Sequence, residues 1–98
     1  MNSVGDKKRK LSILIPALYD VSLRDILGRS RKAEYVAPRK AYHYFLRRLL
    51  GFSYPYIGDL VERDHSTVMY NCRTFDKDKF YKLCGVNEEY VKDYISEE

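Results

Sequence analysis

In "PRKAYHYFLRRLLG", residues 38–51, Ala41, Tyr42, Phe45, Leu46, Leu49 and Leu50 recur at i, i+1, i+4, i+5, i+8 and i+9. That spacing lays one apolar stripe along a 3.6-residue helix. It fits no strand, whose side chains alternate at period two. Pro38 suits the first helical turn and Gly51 the stop, while Arg39, Lys40, His43 and Arg47 fall largely on the opposite, polar face. No stretch elsewhere alternates at period two, and no Asn-Gly or Asp-Gly hairpin pair occurs. The expected fold class is therefore all-α, a small bundle of five to six helices.

The rest of the chain is punctuated to match. "LSILIPALYDV" reads as a first helix, with Pro16 either near its start or kinking it. In "SLRDILG", Ser22 is the N-cap, Asp25 completes a capping box and Gly28 is the stop. "RSRKAEYVA" is a basic connection. Ser53 caps "SYPYIGDLV" and Asp64 caps "DHSTVMYNCRTF"; "DKDKFYKLCG" either extends that helix or forms a separate turn. Asn87 caps a last helix, "EEYVKDYISEE". The expected organisation is a flexible basic arm over residues 1–10 ending in "KKRK", a helical body over 11–86, and an acidic helix over 87–98 that packs on the body or extends it.

Charge narrows the partner. Between Lys7 and Arg73 there are 14 basic and 6 acidic residues, a balance of +8, whereas residues 87–98 hold 1 basic and 5 acidic. A basic body with an acidic tail points to a polyanion, with nucleic acid foremost; a merely solubilising surface is the plain alternative. The longest N-terminal apolar run is too short for a bilayer and contains Pro16, so no membrane partner and a cytoplasmic location are expected. Cys72 and Cys84 are expected to stay reduced. With His43 and His65 they show none of the paired spacing of zinc modules, so no metal is expected. Tyr19, Tyr42 and Tyr90 are assigned to the core or its edge.

"RDHSTV", residues 63–68, contains the residue types of a nucleophilic triad. Asp64, His65 and Ser66 are consecutive at a helix start, however, so their side chains are expected to diverge, and an enzyme is not expected. Val68, Cys72 and Phe75 at i, i+4 and i+7 turn inward, leaving Asp64, His65, Ser66 and Thr67 on the exposed first turn. Two short helices, "SYPYIGDLV" and this one, joined by a few residues, form a helix-turn-helix whose second helix enters a DNA major groove N-terminus first.

The segment from about Ile15 to Phe75 resembles the C-terminal DNA-binding domain of the bacterial replication initiator DnaA family. The resemblance rests on "RDHSTVMYNCRTF", supported by "YDVSLRDILGRSR", "APRKAYHYFLRRLL" and "SYPYIGDL" in the family's order. It implies an all-helical domain over 11–86 that docks on double-stranded DNA. It implies that Asp64, His65, Ser66 and Thr67 lie at the major groove, with Thr67 on a phosphate, and that Arg31 enters the adjacent minor groove. It places Arg39, Lys40, Arg47, Tyr54, Pro55, Arg63 and Arg73 near the phosphate backbone. The chemistry agrees: a carboxylate accepts from the cytosine amino group, a helix N-terminus offers N–H groups to phosphate, and an arginine suits a narrow A·T-rich minor groove.

The chain also departs from the family pattern. "LVERDH" is one residue shorter than the usual glycine-rich turn and carries Glu62; Ser66 lacks a threonine's methyl, and Thr74 stands where another cation is common. No G-x-x-x-x-G-K-[ST] loop occurs, so no nucleotide cofactor, indeed no cofactor, is expected. The expected role is a small standalone regulator of transcription or replication, phage or mobile-element derived, reading a site related to the DnaA box. The alternative is an interaction module that keeps the fold and binds a protein partner through its acidic C-terminal helix.

Overall fold

A computed structural model describes residues 3–97. Among them the chain forms seven helices and no strand: α1 (Val4–Tyr19), α2 (Leu23–Leu27), α3 (Ala33–Arg48), α4 (Tyr54–Val61), α5 (His65–Thr74), α6 (Lys77–Cys84) and α7 (Glu88–Ser96). The all-α reading holds, with seven helices where five or six were expected.

Two expected boundaries are corrected. The arm is not a loose tail from Ser3 onward. Ser3 accepts from the Asp6 N–H while the Asp6 carboxylate takes the Ser3 N–H, and this capping box makes "KKRK" part of α1. Met1 and Asn2 of that arm lie outside the described residues. Pro16 sits inside α1 near its C-terminal end and is buried. Likewise Pro38 is not at a first turn: α3 starts at Ala33, and the basic connection shrinks to residues 29–32. The missing proline N–H leaves the Glu34 carbonyl without its helical donor, which an otherwise well-packed helix tolerates.

The caps read from sequence are in place at Ser22 with Asp25, Ser53, Asp64 and Asn87. Phe75 leaves helical geometry and Asp76 caps α6, so "DKDKFYKLCG" is a separate helix. Both helices turn an aromatic ring to Phe45: the Phe75 and Phe80 rings lie 5.5 Å and 5.4 Å from it at edge-on angles.

One core draws on every helix, with Leu11, Ile15, Ile26, Phe45, Leu46, Ile57, Val68, Phe80, Val91 and Ile95 almost fully enclosed. α3 is its axis and touches α1, α2, α4 and α5. α7 packs along α1, so the acidic C-terminal helix is docked on the body through Val91 and Ile95. Tyr42 is buried and Tyr19 half-buried as expected, but Tyr90 is 47% exposed because it lies on the outer side of α7.

Candidate nucleic-acid interface

The α4–α5 turn is closed by a very short backbone approach. Gly58 is buried, and a Cβ on it would stand 2.6 Å from the Arg63 carbonyl oxygen. The Arg63 N–H in turn donates to the Gly58 carbonyl at 2.9 Å. Glu62 takes the left-handed conformation that ends α4, with φ 57° and ψ 48°. The turn thus places a glutamate in the left-handed conformation that glycine adopts most easily.

Beyond the turn, α5 presents its first residues to solvent: Asp64, His65, Ser66 and Thr67 are all exposed, while Val68 and Cys72 face the core. The Asp64 carboxylate caps the helix, accepting from the Ser66 N–H and the Ser66 hydroxyl, each at 3.0 Å. Those bonds, the backbone one first, hold its pKa below the ordinary aspartate value. His65 Nδ1 lies 3.6 Å from the same carboxylate oxygen. The three side chains thus converge on Asp64 instead of diverging. The serine proton is directed at the carboxylate and not at the imidazole, so the order of a relay is absent. What remains is an exposed carboxylate, an imidazole and two hydroxyls on one helical turn, a set able to accept from and donate to base edges.

The expected phosphate contacts separate into groups. Arg39 is 7% exposed, and its Nε, Nη1 and Nη2 donate to the carbonyls of Ile26 (2.8 Å), Ser30 (2.8 Å) and Asp25 (3.2 Å). It caps the C-terminal end of α2, and its expected place on phosphate is corrected. Arg63 is half-buried and donates from Nη2 to the Gly28 carbonyl. His43, read as part of the polar face, is 1% exposed and pairs through Nδ1 with the Asn71 amide at 3.1 Å. Burial, with Arg39 and Arg63 nearby, lowers its pKa to about 4. For Arg39 and His43 the reason is that α2 and α5 cover the side of α3 that a single apolar stripe leaves polar.

The Arg63–Gly28 bond also has a positional effect. It ties the helix-turn-helix turn to the root of the connection, and Arg29 there is close enough to lower the Arg63 pKa, after burial. The exposed Arg31 therefore stands on a loop anchored beside the start of α5.

Arg47, Tyr54 and Arg73 meet in one shallow depression, together with Arg48, which the sequence reading did not single out. The Arg47 guanidinium stacks 4.7 Å from the Tyr54 ring and donates to the Phe52 carbonyl at 3.1 Å, which fixes it beside the N-terminus of α4. Pro55 is exposed in that first turn. Arg73 lies seven residues after Ser66 on the same face of α5. Lys40 is elsewhere: its amine lies 5.2 Å over the Tyr70 ring, beside a groove shared with Phe75 and Lys79. Asn71 was also missed; its signal is an amide on the inward side of α5.

No described helix is long and apolar enough to cross a membrane. The family described as bacterial dnaA protein helix-turn-helix matches residues 8–74. Over 59 residues the chain is 49% identical to chromosomal replication initiator protein DnaA 1 of Chlamydia pneumoniae, a match covering 60% of this chain and 13% of that protein. Over 76 residues it is 41% identical to DnaA 1 of Chlamydia muridarum, covering 71% of this chain and 17% of that one. The DnaA of Lactococcus lactis is 40% identical over 63 residues, covering 63% of this chain and 14% of its own length. The chain thus spans less than a fifth of these relatives. No solved structure gives a significant match.

Proposed function

The chain belongs to the bacterial DnaA helix-turn-helix family, a DNA-binding domain, and from that premise we propose that it reads a specific duplex site related to the DnaA box. The observation that carries the reading is the exposed first turn of α5, with Asp64, His65, Ser66 and Thr67, held against α4 at Gly58. In this reading the turn enters the major groove, and Asp64 accepts from a cytosine amino group. Arg31, on the loop that Arg63 anchors beside that turn, reaches the adjacent minor groove. Arg47, Tyr54, Pro55 and Arg73 face the phosphate backbone, and Lys40 supplies a more remote point charge.

The chain acts in this proposal as a small regulator of transcription or replication. Selection from a pool of random duplexes, sequenced after binding, tests it. One enriched motif, bound with an affinity that falls linearly in log salt, is the expected result. A pool that emerges unenriched would falsify specific reading. The alternative, a protein contact through α7, has to use a helix whose Val91 and Ile95 are already buried, leaving an outward face of Glu89, Tyr90, Lys92 and Asp93.

A further inference from the structure

The rim of the arginine depression carries a contact that the duplex-reading proposal does not use. Glu88, in the first turn of α7, accepts from the Tyr44 hydroxyl at 2.8 Å through one carboxylate oxygen. Its other oxygen lies 3.3 Å from Arg48 Nε. Tyr44 and Arg48 both line the depression that holds Arg47, Tyr54 and Arg73. The Lys77 amine sits 5.4 Å over the Tyr44 ring and feels the Glu88 charge as well. A carboxylate from the C-terminal helix is therefore held at the edge of a concentrated patch of cations, bound as an oxyanion ligand is bound, by a hydroxyl and a guanidinium.

We propose that the depression seats a backbone phosphate of duplex DNA with Arg48 as a further contact, and that Glu88 is an internal counter-anion competing with that phosphate. The proposal rests on the duplex-binding reading above and adds to it a residue and a restraint. Geometry favours an exchange of partners. The Arg48 side chain is 62% exposed and Glu88 30%, so their pairing is partly hydrated and weak, and releasing it costs little. A backbone phosphate can turn both non-bridging oxygens to the guanidinium in a fork geometry, whereas Glu88 gives it one oxygen and Tyr44 the other, and Arg47 and Arg73 add to the field there. Arg73 shares a face of α5 with Ser66, seven residues or about 10 Å along the axis, so a phosphate here flanks the groove that Ser66 enters. The acidic α7, docked outside the matched residues 8–74, thereby limits the grip of the helix-turn-helix.

The test measures binding of the full chain to a duplex of fixed mixed sequence across a salt series, for wild type, Glu88→Gln, Glu89→Gln, Arg48→Ala, Arg47→Ala and the Arg48→Ala/Glu88→Gln pair. Glutamine keeps an acceptor for Tyr44 and removes the charge. Glu88→Gln is expected to bind about two- to fivefold tighter, with a log–log salt slope steeper by up to about 1. Arg48→Ala is expected to bind more weakly with a shallower slope, and in the pair the gain from Glu88→Gln is expected to vanish. Glu89→Gln makes the same change of net charge one residue away and is expected to give a smaller gain. An equal gain from Glu89→Gln, or a gain that persists without Arg48, overturns the proposal by reducing Glu88 to general charge. If Arg47→Ala lowers the slope while Glu88→Gln and Arg48→Ala change nothing, the competition is overturned and duplex binding stands. If no protein of the set binds duplex at low salt, both readings fall.

Discussion

Nδ1 of His43 lies 3.1 Å from Nδ2 of Asn71, joining two side chains that are 1% and 7% exposed where α3 crosses α5. A buried polar pair is tolerable only when its members satisfy each other. Here the amide donates to a neutral imidazole, and that neutrality is enforced by burial and by two guanidiniums, Arg39 and Arg63. The long helix is thereby bonded to the proposed reading helix from inside.

Stability should therefore depend on pH through His43. Its folded pKa, about 4, lies below the ordinary value of 6.5, so between those values the unfolded chain binds the extra proton. Stability is complete above about pH 6.5 and declines as pH falls toward about 4, by on the order of 3 kcal/mol in all. Urea unfolding from pH 7 to 5 reads the upper part of this window, before most carboxylates titrate. In the His43→Leu/Asn71→Leu pair, which replaces both partners together, that slope should flatten; a slope that survives assigns it to another group.

Arg39 and Arg47 should behave as opposites although both stand on α3. Arg39→Met removes three hydrogen bonds to carbonyls at the end of α2 and in the connection after it, and should cost about 2–3 kcal/mol in unfolding. Lysine should not rescue it, since one ammonium cannot span the three carbonyls as the fork does. Arg47→Ala should leave stability within about 0.5 kcal/mol and reduce the salt slope of duplex binding by about 1. Denaturation and salt titration of both variants show whether the two roles are separated as stated.

Gly58→Ala places a methyl 2.6 Å from the Arg63 carbonyl oxygen, a backbone atom that cannot swing aside. The α4–α5 turn has to open, at about 1–3 kcal/mol. Binding to a selected site should drop more than binding to mixed-sequence duplex, because the start of α5 is displaced. Equal losses on both duplexes mean that the turn does not position the reading residues.

Glu62→Gly relieves a side chain from the left-handed region and removes an anion beside the proposed interface. The relief of about 1–2 kcal/mol is partly offset by the greater freedom of glycine in the unfolded chain, leaving a gain of about 0.5–1 kcal/mol. A higher melting temperature with unchanged or tighter duplex binding is expected. A lower melting temperature would show that Glu62 makes a compensating contact.

Asp64→Asn separates capping from reading. Asparagine caps about as well as aspartate, so the fold should persist and mixed-sequence duplex should bind equally or better once an anion is gone. On the selected site the affinity should fall about ten- to hundredfold, with discrimination lost at one base pair. A single-base-pair scan beside a melting curve measures this. Discrimination retained at every position leaves Asp64 as a cap alone.

Local chemistry made much of this protein legible in one dimension. Ser22 with Asp25, Gly28, Ser53, Asp64 and Asn87 mark helix ends because a cap is satisfied within three residues, and the stripe from Ala41 to Leu46 faces inward because helical period alone aligns it. Ser3 and Asp6 carried the same capping-box signal and went unread beside so many charges. The exposed first turn of α5 was legible too, since an N-cap followed by an inward Val68 fixes which residues point out. Tertiary structure decided the rest. Arg39 and His43 read as polar-face residues because periodicity describes a helix buried on one side, whereas α3 is enclosed by four neighbours. Their partners lie 13 residues away at Ile26 and 28 away at Asn71. The meeting of Arg47, Arg48, Tyr54 and Arg73, and the reach of Glu88 back to Arg48 across 40 residues, follow only from how separate helices pack, and no local pattern encodes that.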